Sequence, residues 1–109
     1  MATTNPITRV TLFKIPSSSD AETLLSHFRG MPTNALKDGN PYLLSVTAGP
    51  TFEDPRSQGF NFAAISKFKN KEDMVYYDEE CAAHAALKAF AKDVIQGIMM
   101  VYLEDGAAE

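Results

Sequence analysis

The sequence is short of the residues that most often announce a chemistry. Its one cysteine, Cys81, cannot form a disulfide within the chain, and without a histidine cluster it builds no metal site. There is no Gly-rich phosphate loop, no pair of catalytic carboxylates and no serine–histidine–aspartate pattern. We therefore expect neither a cofactor nor a metal. Long apolar runs are missing too: the stretch Ile98-Met-Met-Val-Tyr-Leu103 falls far below the ~20 residues of a membrane-spanning helix. The start, Met1-Ala-Thr-Thr-Asn-Pro-Ile-Thr-Arg, lacks the apolar core of a secretory leader, and no Asn-x-Ser/Thr sequon occurs. These absences predict a cytoplasmic protein. Positive charge is scarce as well. Lys and Arg number 10 against 14 Asp and Glu, a net charge of −4 that speaks against nucleic acid or a membrane surface as partner.

What is present is ordinary globular material. With 45% hydrophobic residues, the 109 residues suffice for one domain with one core, which we place at about 7–104. Residues 7–15 are β-branched and aromatic and stop at Pro16, which reads as a first strand. Ser19 and Glu22 have the spacing of a capping box, and Ala21, Leu24, Leu25 and Phe28 follow at helical intervals until Gly30 and Pro32. A loop over 33–41 leads to a second strand at 42–48, broken by Gly49-Pro50. The polar stretch 51–58 connects it to a third strand at 59–68. A second helix comes in pieces, 71–77 and 81–92, around the acidic run Asp78-Glu79-Glu80. A fourth strand covers 95–103, and residues 105–109 read as a loose tail.

The order β-α-β-β-α-β is that of a ferredoxin-like α+β fold, a four-stranded antiparallel sheet with its helices on one face. Strand alternation puts Phe60, Phe62, Ala64 and Phe68 on one side and Ala63 and Ile65 on the other. Likewise Val10 and Leu12 oppose Phe13 and Ile15, and Met99 and Val101 oppose Ile98 and Met100. The sheet is apolar on both faces, yet the helices cover only one. A second copy of the chain is the simplest cover for the other, so a homodimer through the helix-free face is expected.

Four segments carry a family resemblance: Val10-Thr-Leu-Phe-Lys-Ile-Pro16, Gly59-Phe-Asn-Phe-Ala-Ala-Ile-Ser-Lys-Phe68, Glu72-Asp-Met-Val-Tyr-Tyr-Asp-Glu-Glu-Cys-Ala-Ala-His84 and Val101-Tyr-Leu-Glu104. The chain resembles the stress-responsive dimeric α/β-barrel (Dabb) domain, in its small single-domain fungal form. The resemblance implies two facing sheets in a dimer and a cavity in each subunit between sheet and helices. It also implies a possible activity, since a plant member is a cofactor-free polyketide cyclase that uses a histidine matching His84 and a tyrosine near Tyr76 or Tyr77. Where that cyclase has further histidines, this chain has Arg9 and Phe62. An imidazole titrates near neutrality and can take a proton beside a carbonyl, while a phenol can hydrogen-bond the enolate that forms.

On this basis the candidate catalytic residues are His84, Tyr77 and Tyr76, and the candidate pocket is lined by Arg9, Phe13, Phe28, Phe62, Leu87, Phe90 and Met100. The fitting ligand is a small apolar or aromatic oxygenated molecule. Plainer readings stand beside these. His84 can simply be satisfied by the acidic run, Arg9 can sit in a structural ion pair, and Lys88 and His27 can be surface residues. The whole protein can be a non-catalytic stress protein. A further alternative is an RNA-recognition motif, because Gly59-Phe-Asn-Phe-Ala followed by Lys67, Lys69 and Lys71 resembles its third strand. Thr11, Asn61 and Ala63 depart from that signature, and the acidic balance opposes it.

Overall fold

The computed structural model describes residues 5–107. Strand β1 (Ile7–Lys14) leads into helix α1 (Ser18–Asn34), then a minimal hairpin of β2 (Leu36–Lys37) and β3 (Asn40–Pro41). Strand β4 (Leu43–Pro50) and a short 3₁₀ turn (Pro55–Ser57) precede β5 (Phe62–Phe68). Helices α2 (Lys71–Glu79) and α3 (Ala82–Ala91) and strand β6 (Gly97–Glu104) complete the order. The main sheet runs β4-β5-β1-β6, with every neighbouring pair antiparallel. This is the ferredoxin-like α+β architecture expected from the sequence.

Several boundaries differ from the sequence reading, each for a local reason. Ser17, not Ser19, caps α1: its hydroxyl accepts from the Asp20 N–H, while Ser19 lies within the first turn. Helix α1 passes through Gly30 and Pro32 and closes at Ala35, whose N–H donates to the Met31 carbonyl. Met31 and Ala35 are buried, and that burial carries the helix past a proline that removes one N–H. The expected loop 33–41 contains the β2–β3 hairpin, turned by Asp38 and Gly39 at φ 53° and 80°. Gly49-Pro50 does not break β4, because β4 is an edge strand and tolerates a residue without an N–H at its end. Helix α2 runs through Asp78 and Glu79 and breaks only at Glu80. The tail is not loose at its start. Asp105 accepts from Thr8 Oγ1 at 2.6 Å and Lys67 Nζ at 3.3 Å, and its N–H reaches the Pro6 carbonyl. Residues 1–4, on which the leader reading rests, and residues 108–109 lie outside the described part.

Strand alternation sets the core. Ile7, Arg9, Thr11 and Phe13 of β1 and Phe62, Ala64, Ser66 and Phe68 of β5 are buried under the helices, which contribute Leu24, Phe28, Met31, Tyr77 and Leu87. Phe60 departs from this scheme. Gln58 and Gly59 take positive φ, and the Asn61 side chain pairs with both backbone groups of Ile15 at 2.8 Å. That insertion resets the alternation, so Phe60 turns to the opposite face, with Lys14 Nζ 4.8 Å above its ring and Leu12 and Met99 beside it. Since Phe60 and Phe62 stand on opposite faces and Phe62 is fully buried, this pair offers no stacking platform for bases. On the helix-free face Val10, Leu12, Ala63 and Ile65 are partly covered and Met99, Val101 and Leu103 are exposed.

Candidate functional site

The buried polar residues of the sheet are contiguous. Arg9 lies opposite Ser66 in the β1–β5 ladder and opposite Tyr102 in the β1–β6 ladder, and Thr11 follows on the same face opposite Met100. Arg9, Thr11 and Ser66 are each at most 8% exposed, although they are polar and lie on the helix side. Helix α2 places Tyr77 and Asp78 over them, and α3 brings His84, 4% exposed, against Tyr77.

The geometry of this cluster is specific. The His84 imidazole stacks on the Tyr77 ring, with centroids 3.7 Å apart and planes 14° from parallel. Its Nδ1 lies 2.8 Å from the Tyr77 carbonyl oxygen, which can only accept, so Nδ1 carries the hydrogen and Nε2 the lone pair. Burial holds the His84 pKa down to about 4, helped by the charges of Arg9 and Lys88 and opposed by the Tyr77 carbonyl and Asp78. His84 is therefore a neutral imidazole near pH 7. Burial likewise pushes the Tyr77 hydroxyl up to about 12, which keeps it a donor, and among the described residues that buried hydroxyl has no hydrogen-bond partner of good geometry. The Arg9 guanidinium lies 5.4 Å from the Tyr77 ring centroid, and its Nη1 pairs with Asp78 Oδ1. The same Asp78 oxygen is 4.0 Å from His84 Nδ1, and Lys88, though exposed, donates from Nζ to the Asp78 carbonyl.

Beside the cluster the helix layer ends. On the helix-facing side of β6, Ile98, Met100 and Tyr102 are 58%, 37% and 45% exposed, whereas their β1 partners are buried. An exposed strip thus borders Arg9 and Thr11, while Arg9, Tyr77 and His84 themselves are buried. Among the described residues no group of three or more His, Cys, Asp or Glu is placed to hold a metal ion.

The candidates separate cleanly in space. His84, Tyr77 and Arg9 come together, and Met100 forms part of the adjoining strip. Tyr76 faces elsewhere: its hydroxyl donates to the Leu36 carbonyl at 3.0 Å and its ring meets Tyr42 edge-on. Phe13, Phe28 and Phe62 pack on one another with centroids 5.9 to 6.3 Å apart, so these three rings fill the space between α1 and the sheet. Leu87 is buried in the same core, and Phe90 lies tilted against His27 with ring centroids 5.5 Å apart, at the α1–α3 contact. Sequence reasoning missed Ser66 and Tyr102, and it offered Asp78 only as one of three acidic partners for His84. Ser66 had a signal, being the one polar residue in the buried alternation Phe62, Ala64, Ser66, Phe68. A separate surface cavity of about 570 Å³ opens in the connection after β4, lined by Phe52, Asp54, Phe60 and neighbours, on a different segment from His84.

Comparison with known proteins finds a sequence relative and proteins of similar fold. A protein of Gibberella zeae named as a fusaristatin A biosynthesis cluster protein is 38% identical over 100 residues, covering 91% of this chain and 72% of its own length. Hydroxynitrile lyase from Passiflora edulis superposes with a TM-score of 0.79 at 11% identity, covering 96% of this chain and 97% of the lyase. A dimeric ferredoxin-like protein of unknown function from Jannaschia superposes with a TM-score of 0.75 at 14% identity, covering 92% and 99%. The latter two show a shared fold. The model of the stress responsive A/B barrel domain matches residues 7–104, and the chain belongs to that family.

Proposed function

We propose that the protein is a homodimer whose subunits each bind a small, apolar, oxygenated molecule at the Arg9–Tyr77–His84 cluster, and that His84 acts there as a base without a cofactor. The observation that carries this reading is the His84 tautomer. A buried imidazole whose Nδ1–H is committed to the Tyr77 carbonyl has a lone pair on Nε2 at any pH well above 4. A base held this far below neutrality can serve only an activated C–H, as in a carbon flanked by two carbonyls. The proton moves from that carbon to Nε2, and the enolate oxygen is left to the Tyr77 hydroxyl and the Arg9 charge. Burial and the Arg9 and Lys88 charges disfavour the imidazolium, so the proton is returned, either to carbon or to the alkoxide of a ring closure. The strip of Ile98, Met100 and Tyr102 would supply the apolar wall. The Gibberella zeae relative's name and the Passiflora lyase support small-molecule chemistry on this scaffold.

A second reading has its own observation. His84 to Tyr77 and Lys88 to Asp78 both tie α3 to the end of α2, which a purely structural clip would also require. Deuterium exchange into a neutral 1,3-diketone, followed by NMR, separates the two. Wild type should accelerate exchange, and His84→Gln should lose roughly 10²–10⁴-fold of that acceleration. A folded wild type that leaves the exchange rate at its buffer value contradicts the base and leaves the clip.

A further inference from the structure

Among the described residues Phe52 is the most exposed large apolar side chain, at 94%, with Ile98 next at 58%. Its segment is nonetheless well tied. The Thr51 N–H donates to the Asn61 carbonyl at 3.0 Å and the Ser57 N–H to the Asp54 carbonyl at 2.9 Å. Asp54 also accepts a two-armed pair from the Arg56 guanidinium at 2.9 and 2.7 Å. A connection closed by its own hydrogen bonds presents an aromatic ring with little left to order, which suits an anchor for a partner. The same connection borders a hollow of about 260 Å³ on the helix-free face, whose apolar lining is Leu12, Phe60 and Met99. An apolar cavity of ~150 Å³ already accepts benzene, so this hollow has room for a phenyl ring.

The sheet order says whose ring reaches it. Strands β4 and β6 are the two edges, and their helix-free faces differ in size. On β4 that face carries Thr47 and Gly49, opposite Ile65 and Ala63; on β6 it carries Met99, Val101 and Leu103. A two-fold axis parallel to the strands lays the large side chains of β6 over the small ones of β4. An axis across the strands lays large on large and small on small, which leaves a gap over β4. The ladders hold Pro50, Phe62, Phe13 and Ile98 at one level, so the connection after β4 and the start of β6 share one end of the sheet. The axis parallel to the strands keeps that end in place and sets each connection over the start of the other copy's β6, beside the hollow.

We propose that Phe52 is an intersubunit anchor: in the dimer, the Phe52 ring of each subunit enters the hollow between Leu12, Phe60 and Met99 of the partner subunit. This rests on the dimer proposed above and goes beyond it, naming the axis and the residue that crosses the interface. It also gives the 51–61 connection a task, since its hydrogen bonds hold Phe52 away from its own subunit and ready for the other.

Two variants test this. Phe52→Ser should raise the dimer dissociation constant at least tenfold in sedimentation, because truncating a buried aromatic anchor is among the costliest changes at an interface. Val75→Ser, at an exposed apolar position on α2, should leave that constant unchanged. The chain has no tryptophan, so Phe52→Trp supplies a single emission reporter at the anchor itself. Its emission should lie toward the blue where the protein is dimeric and move to the red on dilution into monomer. A Phe52→Ser dimer as tight as wild type, an equal loss in Val75→Ser, or an emission unmoved as the dimer dissociates overturns the anchor and leaves the dimer standing. A wild type that stays monomeric at micromolar concentration overturns both.

Discussion

His84 shows how one residue's surroundings decide what it can do. On a solvent-exposed helix its imidazole would be half protonated near pH 6.5. Stacked on Tyr77 and buried between two cations, it is held down to about 4, chiefly by burial. The consequence for stability follows from linkage. The unfolded chain takes up a proton at His84 below pH 6.5 while the native state does not, so unfolding becomes easier as pH falls from 6.5 toward 4. The contribution is fully present above pH 6.5. It amounts to at most on the order of 3 kcal/mol, lost across that window. Urea denaturation of wild type and His84→Gln at pH 7 and pH 4.5 checks this: the variant should show a flatter dependence between the two pH values. Equal slopes would mean that His84 titrates normally in the folded protein. Asp105, held low by its bond from Thr8, adds a further loss only at more acid pH.

At the scale of elements, the parts that were legible from sequence are those where one physical rule acts alone. Strands β1 and β5 alternate cleanly because both are central and each is buried on one face, whereas the edge strand β6 keeps only its register with β1 and is exposed on both faces. The errors fall where a side chain intervenes in the backbone. Asn61 replaces a ladder pair by holding both backbone groups of Ile15, which no count of hydrophobic residues can reveal, and it sends Phe60 to the other face. Asn61→Ala should cost about 1–3 kcal/mol by leaving those groups unpaired, measurable by chemical denaturation. The Asp38-Gly39 turn did have a sequence signal, the Asp-Gly dipeptide of two-residue hairpins. Gly39 sits at φ 80°, so Gly39→Ala should cost about 1–2 kcal/mol, and Gly39→Asn less. Equal stability of both variants would show that the hairpin contributes nothing. The site was half legible: the family resemblance pointed to His84 and to one of Tyr76 and Tyr77, and the helical phase that turns Tyr76 toward Leu36 is set by how α2 docks.

For the whole molecule, the apolar residues on the helix-free face ask for a cover. Met99, Val101 and Leu103 are about half exposed, and Val10, Leu12 and Ile65 lie beside them. A stable interface of ordinary size buries ~800 Å² per partner. Ile65→Asp or Val101→Asp should convert a dimer into a monomer or an aggregate in sedimentation, whereas Ile98→Asp, on the other face of the same strand, should leave association intact. A wild type that sediments as a monomer at micromolar concentration would contradict the dimer. No helix among the described residues is long and apolar enough to cross a membrane. NMR maps most directly where a ligand sits. With imidazole nitrogens labelled and the methionine methyl groups and backbone amides assigned, a small aromatic oxygenated molecule added to the protein should shift the His84 Nε2 and Met100 methyl signals together. Shifts confined to Phe52, Phe60 and the rest of the cavity after β4 would place the site in that connection and contradict the account.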